Sequence, residues 1–155
     1  MEEHDKSGYV NPMYQKLIES KIQTIKTLGD YKMYFPESVI VSEKYKVAGT
    51  SDRPSLLYGN VMDMYDYKTN VEKGIQFRNK YKKRMTNGLE HLECCNYNHY
   101  ALQLSIYSLI LELEHNCTTG RLGILFCNKM QKMFYIPVNY MKFEAMYMLE
   151  NYHKF

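Results

Sequence analysis

The sequence predicts an α/β domain, a small β-sheet with helices packed on it. Three segments carry apolar residues at helical spacing, and five shorter runs are rich in β-branched or aromatic residues. Their order is helix, three strands, helix, two strands, helix, which is typical of one layered core of sheet and helices. The length of 155 residues suits a single domain over residues 1–155.

The first predicted element is a helix from Pro12 to Leu28. Proline suits the first helical turn, and apolar residues follow at intervals of three or four. Gly29 and Asp30 are expected to end the helix. The polar residues 1–11 before it predict a flexible segment. The apolar positions of this helix are Leu17, Ile18, Ile22, Ile25 and Leu28.

Three strands are predicted next, over residues 38–42, 44–50 and 61–68. Each run is short and rich in β-branched or aromatic residues. Gly59 and Asn60 stand directly before the third run, and glycine at the first central position suits a two-residue hairpin turn. We therefore expect three antiparallel strands.

The second half of the chain predicts a long helix, a hairpin and a last helix. The long helix runs from His99 to His115 and has one apolar stripe; Thr119-Gly120 is expected to stop it. Residues 121–127 and 132–136 predict the two strands of a hairpin. Residues 140–152 again carry apolar residues at helical spacing, which predicts the last helix.

Composition and charge exclude some classes of protein. The formal net charge is +3, which is compatible with a polyanionic partner and does not by itself indicate one. The four cysteines form no C-x-x-C pair, which disfavours a structural zinc site. The sequence shows no secretory signal and no apolar run of the roughly 18–20 residues that span a bilayer. We therefore expect a cytoplasmic protein with reduced thiols and no membrane contact.

Three polar residues in or beside the predicted strands indicate a metal-assisted site. Asp66 and Lys68 stand two apart in a strand, so their side chains share a face. Magnesium is held by one or two carboxylates together with waters and phosphate oxygens, and Asp52 and Asp66 supply two carboxylates. The backbone carbonyl of Tyr67 is a candidate third ligand. Lys68 is a candidate to orient a water and to balance developing negative charge.

The strand register decides whether this site can form. With a strict two-residue turn at Gly59-Asn60, Asp52 would oppose Tyr67 and point away from Asp66. The two carboxylates share a face only if the register is offset by one residue, through a bulge near Pro54 or a three-residue turn. We therefore predict an irregularity between Asp52 and Val61.

Two further polar features follow the strand motifs along the chain. Gln103 and Tyr107 are four apart on the long helix and share a face, and a polar edge on a core helix is the alternative interpretation. Residues 69–98 predict a loop or short helix with an excess of Lys and Arg, and a solvated charged surface is the alternative. The candidate phosphate contacts are Lys73, Arg78, Lys82, Lys83 and Arg84.

These residues form motifs that resemble a nuclease family. Gly-x-x-Asp at 49–52, Asp-Tyr-Lys-Thr at 66–69 and Gln-x-x-x-Tyr at 103–107 resemble the RecB-type branch of the PD-(D/E)XK nuclease superfamily. The stretch from about Phe35 to Glu112 is similar to phage-encoded members of that branch. The resemblance implies a restriction-endonuclease-like αβββαβ core with a mixed central sheet flanked by helices. It also implies Mg²⁺ or Mn²⁺ dependence and cleavage of DNA, as an exonuclease in recombination, repair or phage DNA processing.

The same resemblance implies roles for single residues. Asp52 and Asp66 match the metal ligands, and Lys68 matches the catalytic lysine. Gln103 and Tyr107 match positions that support the lysine or contact DNA. Glu37 matches an acidic position that members of the family often have just before the first strand. A homo-oligomer and a helicase or recombination partner are both compatible with these motifs.

The sequence departs from the family pattern in two places. RecB-type members have a metal-reaching histidine on an early helix, and here only His4 precedes the strands. That departure favours the alternative function, a catalytically impaired nuclease fold that binds DNA or another protein. No cysteine precedes the motifs, whereas cluster-binding relatives have one there, so we expect no iron–sulfur cluster.

Overall fold

The computed structural model describes residues 15–29, 31, 33–69 and 74–154. The flexible segment predicted for residues 1–11, the helix start at Pro12, and His4, Asp30 and Lys73 lie outside the described residues. The described helices are α1 (Gln15–Leu28), α2 (Asn96–His115) and α3 (Lys142–Glu150). The described strands are β1 (Met33–Tyr34), β2 (Ser38–Ser42), β3 (Val47–Ser51), β4 (Arg53–Leu56), β5 (Val61–Lys68), β6 (Thr118–Cys127) and β7 (Met133–Val138). Short 3₁₀ turns lie at Tyr58–Asn60 and Tyr152–Lys154.

A mixed five-stranded sheet organises the described chain. Its strand order is β1-β4-β5-β6-β7. β4 and β5 are antiparallel, β5 and β6 are parallel, and β6 and β7 are antiparallel. The parallel pair requires a long crossover, and α2 lies in that connection. The predicted fold class, a mixed α/β sheet flanked by helices, is therefore confirmed.

The prediction of three antiparallel strands is wrong in its detail. β2 and β3 pair with each other in a separate two-stranded sheet and leave the main sheet to β4 and β5. The second strand begins at Val47 rather than at residue 44, because residues 43–46 form the hairpin turn. β1 and β4 were not predicted at all. β4 reads Arg-Pro-Ser-Leu, which contains a proline and no β-branched or aromatic residue.

The core lies on both faces of β5. Met62 and Met64 belong to the cluster that contains α2 and α3, whereas Tyr65 packs with Leu28 of α1 and with Leu125. Side chains alternate between the two faces of a strand, so even-numbered residues of β5 face α2 and odd-numbered residues face α1. Burial on both sides explains why β5 lacks the alternation of a half-exposed strand.

The ends of α2 differ from the prediction. The helix begins at Asn96, three residues before the predicted start at His99. It ends at His115, followed by Asn116 in the left-handed conformation with φ 51°. Thr119 and Gly120 do not stop the helix, since they already lie in β6. None of the described helices is both long enough and apolar enough to cross a bilayer.

Candidate active site

The connection between β4 and β5 has the predicted offset. Arg53 pairs with Tyr65 and Leu56 with Met62, one residue away from the register of a strict two-residue turn. The extra residue lies in a three-residue connection, Tyr58–Asn60, where Gly59 has φ 73° and Asn60 has φ 58°. The Leu57 N–H donates to the Val61 carbonyl at 2.8 Å across this turn. The predicted irregularity is therefore confirmed, and it turns Asp52 towards the same face as Asp66.

Asp52 lies at the bend where the chain leaves the small sheet and enters the main sheet. It stands between β3 and β4, and its carboxylate Oδ2 accepts a hydrogen bond of 2.8 Å from the Tyr67 N–H. Its backbone carbonyl accepts a hydrogen bond of 3.1 Å from the Glu37 N–H. Glu37 has φ 47° in the turn before β2. Main-chain contacts from two neighbouring segments thus hold the position of Asp52.

Asp66 is a buried carboxylate beside two charged groups. Only 4% of the residue is exposed. Burial raises the pKa of Asp66 from 3.8 to about 6; the ion pair with Lys68 opposes this rise, and the nearby Asp52 carboxylate adds to it. A carboxylate held in this way gains from a cation that neutralises both acidic groups.

Lys68 completes the cluster at the end of β5. Its ammonium pairs with Asp66 and lies 4.6 Å from the ring centre of Tyr100 on α2. A cation above the electron-rich face of an aromatic ring is attracted by the ring quadrupole. Sequence reasoning missed Tyr100. The available signal was its place on α2, three residues before Gln103 and hence on a neighbouring part of the helix surface.

The donor set at this edge of the sheet fits a hard divalent cation. Asp52 and Asp66 provide carboxylate oxygens, and the residues described include no cluster of three or more His, Cys, Asp or Glu side chains for a metal. A third oxygen is available in the main chain. The N–H of Tyr67 points towards Asp52, and the N–H and C=O of one strand residue point to the same edge, so its carbonyl points there too. Two carboxylates and a carbonyl, completed by waters, suit Mg²⁺.

Tyr107 packs α2 against the small sheet, and Gln103 supports its hydroxyl. The Gln103 side-chain amide donates to the Tyr107 hydroxyl at 3.2 Å. Tyr107 packs on Gly49 so closely that a Cβ at this glycine would lie 2.6 Å from the ring atom Cε1. The absence of a side chain at residue 49 therefore allows the ring to approach. The Gly-x-x-Asp motif and the Gln-x-x-x-Tyr motif are therefore in direct contact through Gly49 and Tyr107. The ring that lies over Lys68 is that of Tyr100.

The basic residues lie in the loop that leads into α2. Arg78, Lys82, Lys83 and Arg84 are exposed. Arg84 also donates to the carbonyl of His91 at 3.1 Å.

Similarity to known proteins bears on the fold. No protein-family model matches the sequence, and no curated protein matches it. Among solved structures, the crystal structure of a "Putative exonuclease" from Eubacterium rectale matches with a TM-score of 0.53 and 14% sequence identity. The match covers 96% of this chain and 55% of that chain, so this chain spans about half the length of the bacterial protein. This chain therefore shares the mixed α/β fold of that protein.

Proposed function

We propose that this protein is a metal-dependent nuclease of the PD-(D/E)XK type that hydrolyses phosphodiester bonds in DNA. The observation that carries the proposal is the cluster of Asp52, Asp66 and Lys68 on one face at one edge of the sheet. It supports the proposal because Asp52 would point away from Asp66 and Lys68 in a strict hairpin register and joins them only through the offset. The shared fold with a protein named as an exonuclease supports it independently.

In this proposal Asp52, Asp66 and the Tyr67 carbonyl hold Mg²⁺ or Mn²⁺. The ion supplies Lewis-acid polarisation of a phosphate oxygen. Lys68 holds the attacking water and stabilises the negative charge that develops on the phosphate. The water oxygen attacks phosphorus and releases a proton to solvent, the bond from phosphorus to the leaving sugar oxygen breaks, and that oxygen takes up a proton from solvent. Asp66 in turn keeps the lysine ammonium directed at the reacting phosphate.

The proposed function is tested by incubating the full chain with linear and circular DNA in Mg²⁺, in Mn²⁺ and in chelator. We expect metal-dependent loss of linear DNA that is absent from an Asp66→Ala variant. Survival of the circles would indicate exonuclease action. Absence of cleavage in both metals by folded protein would contradict the proposal. Retention of DNA without cleavage would then support the alternative, a nuclease fold that only binds.

The ring of Tyr100 is expected to position Lys68 during cleavage. Replacing Tyr100 with Leu should lower kcat about 10-fold, because the ammonium loses an attraction of the order of 1 kcal/mol and gains freedom to move. Tyr100→Phe keeps the ring and should retain most of the activity. Steady-state cleavage by the two variants, with KM measured separately, checks this. Equal losses in both variants would show that the hydroxyl, and not the ring, is what matters.

A further inference from the structure

The loop before α2 is ordered by its own hydrogen bonds. In this basic loop, defined as residues 74–95, Asn79 acts as the central acceptor and donor. Its Oδ1 accepts from the N–H groups of Tyr81 at 2.9 Å and Lys83 at 3.2 Å. Its side-chain amide donates to the Cys94 carbonyl at 2.7 Å, and the Cys94 N–H donates to the Lys83 carbonyl at 2.8 Å. The tip of the loop is thus pinned to the segment that enters α2.

This ordered loop presents aromatic rings to solvent. Tyr81 is 83% exposed and Phe77 is 55% exposed. Rings of this size are usually buried, and here the main chain holds them outward between basic side chains. The exposed basic residues around them are Arg78, Lys80, Lys82, Lys83 and Arg84. Lys80 lies 5.7 Å from the ring centre of Tyr81, which leaves that ring in a positive environment.

A row of aromatic residues joins the loop to the candidate active site. The Phe77 ring lies 4.7 Å from the Tyr97 ring, centre to centre. Tyr97 is in the first turn of α2, and residues three apart on a helix are surface neighbours, so Tyr97 adjoins Tyr100. Tyr100 in turn covers the ammonium of Lys68. The exposed ring of Phe77 therefore begins a row of rings that ends over the proposed catalytic lysine.

We propose that the basic loop is a stacking platform for unpaired nucleotides, so that the substrate is single-stranded DNA or a single-stranded DNA end. This inference rests on the proposed function and names the substrate of the same site. Basic side chains bind the phosphates of single and double strands alike, but an exposed ring adds binding energy only when a base can leave its own stack. Alternating lysines and rings on one ordered loop suit a strand whose bases are free.

The test is the binding of a fluorescent oligothymidylate and of a blunt-ended duplex of two separate strands to the full chain in chelator, followed by anisotropy. Tyr81→Ala should weaken oligothymidylate binding about 10-fold and leave duplex binding unchanged. Tyr81→Phe keeps a ring and should bind as the natural chain does. Lys82→Gln together with Lys83→Gln should weaken the binding of both ligands and lower the salt slope by about 1.4 for the single strand and about 1.8 for the duplex.

Tyr58→Ala is the matched control. Tyr58 is 79% exposed, and it lies at the other end of β5 from Lys68, on the order of 25 Å along the strand. Loss of the Tyr58 ring should change the binding of neither oligothymidylate nor duplex. Equal oligothymidylate binding by Tyr81→Ala and the natural chain would overturn the inference, as would an equal loss of duplex binding. Because no metal is present, the result does not depend on cleavage: selective single-strand binding by a protein that cuts nothing would keep the platform and remove the nuclease.

Discussion

Replacing Asp66 with Asn should abolish cleavage and, at the same time, make the metal-free protein more stable. The variant loses a charged metal ligand, and its amide cannot form the same ion pair with Lys68. We expect a fall in cleavage of at least about 10³-fold, the scale seen when a preorganised charged or polar group is removed from a reacting centre. A folded variant that still cleaves within 10-fold of the natural rate would remove Asp66 from the site.

The gain in stability follows from the pKa of Asp66. The folded value is about 6 and the ordinary value is 3.8, so the folded protein binds the proton more tightly than the unfolded chain. The stabilisation by the protonated carboxyl is complete below pH 3.8 and is lost as the pH rises through about 6. A difference of about two units corresponds to about 3 kcal/mol that the charged carboxylate costs at pH 8. Asn avoids that cost.

Denaturant unfolding in chelator measures this effect. The natural chain and Asp66→Asn should have similar free energies of unfolding near pH 4, and the variant should be more stable above pH 6. Adding Mg²⁺ should raise the melting temperature of the natural chain and not that of the variant, because only a folded-state ligand site shifts unfolding. A parallel pH dependence of the free energy of unfolding in the two proteins would show that burial of the charged Asp66 carboxylate does not destabilise the fold.

Replacing Asp63 with Ala should have the opposite consequence, a loss of stability without a direct effect on the site. β6 has one extra residue opposite Asp63, where Met62 pairs with Thr119 but Met64 pairs with Leu122. The Asp63 carboxylate accepts hydrogen bonds from Arg121 in this bulge. Its Oδ1 accepts from the Arg121 backbone N–H at 2.7 Å, and its Oδ2 accepts from the Arg121 Nε–H at 3.0 Å.

The same carboxylate accepts hydrogen bonds from two tyrosines. The Tyr65 hydroxyl donates to Asp63 Oδ2 at 2.9 Å, and the Tyr31 hydroxyl lies 3.4 Å from the same oxygen. Asp63 is 1% exposed, so the groups left without an acceptor would lose a buried partner. The Arg121 side chain is 45% exposed and can turn to water, so we expect a loss of about 3 kcal/mol, the lower end for a broken buried pair.

A double-mutant cycle checks the origin of this loss. Asp63→Ala and Arg121→Ala should together cost less than the sum of the two single changes, because each removes the same contact. Under conditions where the Asp63 variant is folded, its rate of DNA cleavage should match that of the natural chain, since Asp63 faces α1 and Asp66 faces α2. Additive costs would mean that the two residues act independently.

Much of the candidate site could be predicted because its residues conflict with their local setting. Asp66 and Lys68 are costly residues in a strand, and their spacing of two already assigns them to one face. The register offset was predicted from the need to bring Asp52 to that face. Tyr100 could not be found in this way, since a tyrosine on a core helix has an ordinary explanation in packing.

The strands that the sequence failed to predict form only through their partners. β4 contains Arg53, Pro54 and Ser55, none of which is β-branched or aromatic, and it exists because β5 lies beside it. β1 has only two residues and likewise depends on β4. Conversely, the runs that form β2 and β3 were predicted to be antiparallel with β5, and they form a separate hairpin.

By itself the sequence determined the number of helices described, the long strand β5 and the α/β class. It also determined that charged residues of β5 belong to the candidate site. Periodicity and charged residues in apolar runs are local signals. The tertiary structure alone decided that Asp52 lies beside Asp66 and Lys68 and that Asp63 is surrounded by hydrogen-bond donors. Asp63 and Asp66 are both buried, and only their spacing from Lys68 distinguishes them in the sequence, since Asp66 shares its face. The three-residue turn brings Asp52 to the face of Asp66, while the bulge in β6 surrounds Asp63 with donors. One carboxylate is thereby satisfied by the fold, and the other remains available for chemistry.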